Sequence, residues 1–420
     1  MSSRPQTAPA PESSRVLRGG EKHAVVASFL GWTLDAFDFF VVVFLVETLS
    51  AQFGVGKAAI VLSLTTTLAM RPVGALLFGL LADRFGRRRP LMANVIYFSL
   101  IELACGFAPN FAVFLVLRAL YGIGMGGQWG VSASLAMEAA PRRWRGLLSG
   151  VLQSGYPIGY LLAALAARLL LPVWGWRSLF FAGASPALIA FYIWSKVPES
   201  QAWQRVRSVS VGGILRTVAE NWKTAGYLVL LMTLMNCLSH GTQDLYPDFL
   251  KTAHGIPAAT VALVAILYNL GGLLGGVGFG QFSERIGRRR AMIVAMALAL
   301  AVIPLWAFGA TLLSLAAGAF LMQAGVQGAW GIIPAHLNEL APDAARGLLP
   351  GLCYQLGILI ASPANSIEYA LRVRLGYGWA MTAFEIGVIV LGVVVVGLGR
   401  ERRGKDFLAA PPGGAGILSA

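Results

Sequence analysis

The chain has 420 residues, 57% of them hydrophobic and 12% charged, and a formal net charge of +14. Soluble domains carry about 25% charged residues, so a soluble globular enzyme is excluded and a chain embedded in lipid is expected. No basic stretch is interleaved with aromatics as in nucleic-acid binders, and the excess charge suits inner loops that touch anionic lipid; no nucleic-acid partner is expected.

Residues 1–22 are rich in Pro, Ser and Ala and read as a disordered tail. Beyond them, apolar runs long enough to cross about 30 Å of hydrocarbon fall near 25–48, 59–81, 91–108, 110–133, 146–171 and 177–196, and again near 224–247, 258–281, 291–308, 311–333, 347–370 and 377–399. Twelve spanning helices are therefore expected, in an all-α membrane protein. The first run is long and has no small-residue cleavage site behind it, so it reads as a span and not a signal peptide. The hydrophilic stretch 197–222 divides the chain into bundles at 23–196 and 223–400, and 401–420 reads as a second disordered tail.

In the first span, Trp32-Thr-Leu-Asp-Ala-Phe-Asp-Phe-Phe places Asp35 and Asp38 three residues apart on one helix face. Two carboxylates close together in low dielectric tend to keep one proton, which points to proton coupling; a salt bridge to Arg71 or Arg118 is the alternative. Arg71, followed by Pro72, lies in the second span. It reads as a substrate anchor or as a staple to the carbonyl that the proline frees. The loop Asp83-Arg-Phe-Gly-Arg-Arg-Arg89 follows, with a carboxylate at a helix end and a glycine that permits a tight turn. Arg118 opens the glycine-rich Arg-Ala-Leu-Tyr-Gly-Ile-Gly-Met-Gly-Gly. That stretch has no strand before it, so a dinucleotide loop is excluded. A guanidinium at mid-bilayer costs about 2.5–3.5 kcal/mol or more, so Arg118 needs an anion, either a structural carboxylate such as Glu102 or Asp38 or that of a substrate. Positions 272 and 319, where copies of the two arginines would fall, hold Gly and Ala. The cationic cavity is then one-sided, which favours an anionic substrate.

The seventh span carries Asn236-Cys-Leu-Ser-His-Gly-Thr-Gln-Asp-Leu-Tyr-Pro247. At about 100° per residue, Asn236, His240, Gln243 or Asp244, and Pro247 share a face, and in hydrocarbon each polar group needs a partner or water. The face is expected to line a path for a polar cargo. His240 titrates in the range that suits proton coupling; a hydrogen-bonded core histidine is the alternative.

Three stretches recur at an offset of 201. Asp83 to Arg89 matches Glu284 to Arg290; Gly124, Gly127, Trp129 and Gly130 match Gly325, Gly328, Trp330 and Gly331; and Glu138, Pro141, Arg145, Gly146 and Gly150 match Glu339, Pro342, Arg346, Gly347 and Gly351. Two parallel six-span halves follow, with substrate bound between them near mid-membrane. The offset maps Asp35 onto Asn236, so the acidic first span and the polar seventh are counterparts. With both termini inside, 25 of the 33 Lys and Arg fall on the inner side and six outside, as inner basic loops require. Gly54-Val-Gly-Lys-Ala is no Walker loop, and HExxH, GxSxG and Cys/His clusters are absent. The three cysteines lie in apolar spans and read as packing residues. No catalytic activity, cofactor or metal is expected.

The doubled Asp83 and Glu284 loops resemble the signature loop of the major facilitator superfamily. The Arg118 stretch resembles its fourth-helix motif, and Val197-Pro-Glu-Ser a linker motif. The run Asn236-x-x-Ser239-His240-x-Thr242-Gln243-Asp244 is similar to the seventh-helix signature of fungal lactate and pyruvate permeases, in the sialate:proton symporter branch, as is the first span. This chain has Asp248 where that signature ends in Thr. The resemblance implies a conformational latch in which Asp83 and Glu284, with Arg87 and Arg288, pair with Arg145 and Arg346 of neighbouring helices. It places Asn236, His240 and Asp244 on the translocation path and Arg71 and Gln355 at the substrate, with Tyr156 a further candidate.

The resulting expectation is a monomeric, proton-coupled symporter of a small monocarboxylate such as lactate or pyruvate, in a bacterial-type inner membrane with both termini cytoplasmic. Arg71 or Arg118 would hold the carboxylate, Asn236, Gln243 and Gln355 would orient it, and Asp35, Asp38, His240 and Asp244 would serve the proton. A larger sialic or aromatic acid as cargo, and a membrane sensor without transport, are the alternatives.

Overall fold

A computed structural model describes Leu17 and residues 19–206 and 209–409. The first half comprises α1 (Gly19–Phe44), α2 (Val46–Phe53), α3 (Lys57–Phe85), α4 (Arg88–Gly106), α5 (Phe111–Ala139), α6 (Arg145–Gln153), α7 (Gly155–Trp174), α8 (Arg177–Gly183) and α9 (Ala187–Lys196). Two short helices, α10 (Gln201–Val206) and α11 (Val211–Glu220), connect it to the second. That half holds α12 (Trp222–Gln243), α13 (Tyr246–Thr252), α14 (Ala258–Ile286), α15 (Arg288–Phe308), α16 (Leu312–Leu340), α17 (Leu349–Ala361), α18 (Ala364–Leu375) and α19 (Tyr377–Leu398). Among the described residues there is no strand.

The 201-residue offset is visible in the backbone itself. α14 and α16 begin and end 201 residues after α3 and α5. The left-handed glycines Gly54, Gly86 and Gly175 recur as Gly255, Gly287 and Gly376, the second pair with φ of 99° at both positions. A side chain at Gly86 or Gly287 would be strained there, so each glycine ends one helix and aims the next.

Among the described residues, nine helical stretches are long and apolar enough to cross a membrane. The expected spans outside that set are α4, α12 with α13, and α17 with α18. Each has a physical reason to fall short: α4 carries Glu102, α12 carries the Asn236–Gln243 polar face, and the last is broken at Ser362-Pro363.

The two tail boundaries differ from those expected. α1 starts at Gly19, ahead of the expected boundary at 23, while residues 1–16 and 18 lie outside the described part. The segment 401–409, expected as part of a disordered tail, is built into the fold: Phe407 is buried at 6% exposure. Residues 410–420 lie outside the described part. The linker is also seated, because Glu199 accepts the backbone N–H of Arg87 at 2.8 Å and the Trp203 indole donates to the Asp83 carbonyl at 2.7 Å. Glu401 plays a similar part in the second half, accepting the N–H of Arg289 at 3.0 Å, as Glu199 also accepts that of Arg88 at 3.3 Å. Both segments owe their order to carboxylates that cap helix N-termini, Glu199 and Glu401.

Candidate functional site

Arg71 lies where the halves meet. It is 3% exposed, and its Nε and Nη2 have no hydrogen-bond partner. Its guanidinium carbon sits 5.6 Å from the ring centre of Tyr354, a residue of the other half. Tyr354 in turn contacts Trp129 at 4.6 Å and Trp330 at 5.6 Å between ring centres; these tryptophans are counterparts under the repeat. Gln355 reaches across to donate to the Gly126 carbonyl at 3.4 Å, and its Oε1 is unpartnered. Gly126 rides directly on the Arg71 backbone: a Cβ there would come within 1.9 Å of the Arg71 carbonyl oxygen. The structure thus brings Arg71 and Gln355 together through a glycine and adds Tyr354, Trp129 and Trp330. Sequence reasoning did not single out these three aromatics as site residues, although the 201-residue offset pairs the tryptophans.

Arg118 stands differently. Its Nη1 donates to Glu102 Oε2 at 2.9 Å, with both side chains fully buried, and its guanidinium lies 4.1 Å from the Tyr121 ring centre. Of the anions weighed for it, the structural carboxylate Glu102 holds its Nη1, while its Nε and Nη2 have no hydrogen-bond partner. The staple weighed for Arg71 does not engage its Nε or Nη2.

Asp35 and Asp38 are fully buried beside this pair. Tyr121 donates to the Asp35 carbonyl at 2.6 Å and to its Oδ1 at 3.3 Å, while Asp35 Oδ2 and both Asp38 oxygens have no partner. Neither acid forms an ion pair among the described contacts, so the salt bridge weighed against proton coupling is not made. Asp38 and Glu102 are neighbours: a Cβ on Gly183 would lie 2.4 Å from Asp38 Oδ1 and 2.8 Å from Glu102 Cγ. An unpaired carboxylate in such surroundings carries a desolvation cost of several kcal/mol if ionised.

The polar face of α12 divides by depth. Asn236 is 2% exposed and donates to the Met232 carbonyl of its own helix at 2.7 Å. His240 Nδ1 and Asp244 Oδ2 are 2.9 Å apart and both partly exposed, and Asn365 of α18 also donates to Asp244, at 2.8 Å. Gln243 donates to Ser239 at 3.4 Å, and Gln323 of α16 reaches Thr242 at 3.0 Å. Tyr156 stacks on Trp32 with ring centres 5.5 Å apart and stands within electrostatic reach of Arg71, Asp35 and Asp244.

Every described hydrogen bond and ion pair between the halves lies at or beyond the level of Gln355, toward the arginine-rich loops. There Glu138 takes Arg87 of its own half at 2.9 Å and Arg346 of the other at 3.3 Å. Glu339 mirrors it, taking Arg288 at 3.0 Å and Arg145 of the first half at 3.0 Å. This corrects the expected pairing. Asp83 binds Arg87 at 2.6 Å and, across the interface, the backbone N–H groups of Gly347 at 2.7 Å and Leu348 at 2.9 Å. Glu284 binds Arg288 at 2.8 Å and the N–H of Gly146. The reason is steric, since a Cβ on Gly347 would lie 2.8 Å from Asp83 Oδ1. The glycine lets the acid reach the main chain, leaving Arg145 and Arg346 to Glu339 and Glu138. Phe407 then lies against both arginines, its ring centre 3.9 Å from one guanidinium carbon and 4.0 Å from the other.

Two repeated helical halves, closed against each other at one end around a buried arginine with two unpartnered nitrogens, have the architecture of a secondary transporter. Family profiles agree: that of the Major Facilitator Superfamily matches residues 27–242, and that of Sugar (and other) transporter residues 217–396. The chain belongs to the major facilitator superfamily, with its twelve spans in two six-helix halves.

A carboxylic acid transporter protein homolog of Saccharomyces cerevisiae is 32% identical over 82% of this chain, which spans 60% of that relative's length. A probable 4-methylmuconolactone transporter of Cupriavidus pinatubonensis is 30% identical over 91% of both chains. A sialic acid transporter of Escherichia coli is 26% identical over 92% of this chain and 96% of its own. The bacterial and fungal acid transporters are the company that the α12 motif indicated. A proton:xylose symporter structure superposes with a TM-score of 0.75 at 20% identity, covering 94% of this chain and 98% of that one, and shares the fold.

Proposed function

We propose that the chain is a proton-coupled symporter of a small monocarboxylate of the lactate and pyruvate class, held here with its arginine-rich, cytoplasmic end closed. The observation that carries this reading is Arg71: buried between the halves, with two guanidinium nitrogens unpartnered, it offers the geometry that pairs with a carboxylate. Gln355, with its free Oε1, lies close enough to orient the cargo, and Asn236 and Gln243 bound the path on the α12 side. Asp35 and Asp38, buried without ion-pair partners, would take the proton, with His240 and Asp244 on the pseudo-equivalent helix. Arg118 keeps Glu102 as counter-ion and sets the field around Asp38.

Lactate uptake into proteoliposomes tests this: an acidic exterior should drive accumulation, and uptake indifferent to the imposed gradient overturns coupling. A larger organic acid, sialic or aromatic, is the second reading. It is favoured by the aromatic run Trp32, Tyr156, Phe40 and Tyr160, whose ring centres follow at 5.5, 5.1 and 4.9 Å, and by the cargoes named for the Cupriavidus and Escherichia relatives. Competition of lactate uptake by benzoate and by sialic acid separates the two.

A further inference from the structure

Two buried acids of the second half take no part in the site above. Glu368 on α18 and Glu385 on α19 are 1% and 0% exposed, and none of their four carboxyl oxygens has a hydrogen-bond partner. They lie at nearly equal chain distance on either side of the Gly376 turn, so the α18–α19 hairpin sets them at matching depth and within electrostatic reach of each other. Thr382, three residues before Glu385 and on the same helix face, is 6% exposed with an unpartnered Oγ1. Asn365, three residues before Glu368, gives its Nδ2 to Asp244 and leaves its Oδ1 unpartnered. One hairpin therefore gathers carboxyl, hydroxyl and carboxamide oxygens whose acceptor capacity is unfilled.

Among the described residues, no cation pairs with them. The nearest arginine on this hairpin, Arg372, pairs with Asp248 at 3.2 Å and lies over Tyr369 and Tyr377. α15 packs on α19 and has no titratable side chain between Arg290 and its end at Phe308. α12 faces the pair with Cys237, His240 and Asp244, and α18 adds Tyr369, Arg372 and Arg374. The first half has no counterpart: stepping back 201 residues gives Ala167 and Ala184. Of the first half's buried acids, Glu102 has Arg118, while Asp35 and Asp38 belong to the site already described. Two ionised carboxylates in an apolar interior each cost several kcal/mol and repel one another, a cost that a small hard cation bound among oxygen ligands removes.

We propose that Glu385 and Glu368, with Thr382 and Asn365, form a second cation site in the C-terminal half, occupied by a proton or a sodium ion. Glu385 Oε1 presses on α12, 2.1 Å from where a Cβ of Gly241 would stand. Filling or emptying the site therefore acts on the helix that carries His240 and Asp244. The coupling half of this proposal rests on the symport reading; the site itself does not.

The test uses the purified full-length chain and the isosteric variants Glu385→Gln and Glu368→Gln. With a proton in the site, the wild type shows an infrared band of a protonated carboxyl that shifts in D2O and that each variant loses. With sodium in the site, replacing choline chloride by sodium chloride raises the wild-type melting temperature and leaves both variants unmoved. A wild type with neither response overturns the site. For coupling, lactate counterflow should be equal in wild type and Glu385→Gln. Accumulation under one imposed pH unit should fall about tenfold in the variant, because each coupled proton multiplies the accumulation ratio by that gradient; a tenfold sodium gradient serves the sodium case. Unchanged accumulation in a variant that has lost the band or the sodium response overturns coupling. If the wild type exchanges no lactate, the symport reading fails while the infrared and thermal measurements still decide the site.

Discussion

Arg71 and Arg118 look alike in the sequence, each a lone arginine in an apolar span, and the structure separates them by what lies opposite. Each lies over a tyrosine ring with its Nε and Nη2 unpartnered, but Arg118 has Glu102 at 2.9 Å, whereas Arg71 has no carboxylate in ion-pair contact among the described residues. Their roles should part accordingly under mutation. Arg71→Gln should cut lactate kcat/KM by about tenfold to a hundredfold, the value of a charge-assisted hydrogen bond of about 1.5–3 kcal/mol, with thermal stability little changed. Arg71→Lys should recover only part, because a point charge cannot pair bidentately. Glu102→Gln should instead destabilise the fold by about 3–5 kcal/mol, since it strands a buried guanidinium; a melting curve in detergent reads it. At this scale the sequence marked which groups are costly in lipid. It could not show that Glu102 lies beside Arg118, because contacts between neighbouring spans have no periodic signature.

Among elements, the closest packing is between α3 and α5, and it is repeated between α14 and α16. A Cβ on Gly74 would meet the Ile123 carbonyl oxygen at 1.8 Å, and one on Gly275, its counterpart, would meet that of Ala324 at 2.1 Å. Helices in lipid gain affinity by such backbone approach, so these glycines set how closely each half closes on itself. Gly74→Ala should lower stability by about 1–3 kcal/mol, the usual cost of overpacking, while Gly278→Ala, with no atom within 4 Å of the added carbon, should leave it unchanged; paired thermal melts compare them. The glycine-rich α5 and its copy were legible as a helix-packing motif. The acid partners were not: the family resemblance implies arginines for Asp83, yet its cross-half partners are the N–H groups of Gly347 and Leu348, which every residue but proline carries. Glu368 and Glu385 carry no signal in the 201-residue repeat, which has Ala167 and Ala184 at their counterparts.

The whole molecule is held closed at one end by a network with the symmetry of its sequence. Glu138 and Glu339 each bridge an arginine of their own half to one of the other. Removing either acid should free the end they hold. Glu138→Gln or Glu339→Gln should shift the population toward the opposite opening by about 1–3 kcal/mol, a range typical of conformational coupling. Faster thiol labelling of a cysteine placed at Leu348, with reagent supplied on the arginine-rich side, would register it; unchanged labelling would show that the Asp83 and Glu284 contacts hold the end closed on their own. The two halves and their common register were readable from one offset. The direction in which the molecule is closed was not, because both openings use the same residues.

Phe407 sits between two arginines that the repeat makes equivalent, one from each half. Any rocking of the halves must draw at least one guanidinium off its ring, so the end of the described chain works as a built-in gauge of state. An indole at that position, Phe407→Trp, should respond in fluorescence each time the transporter turns over.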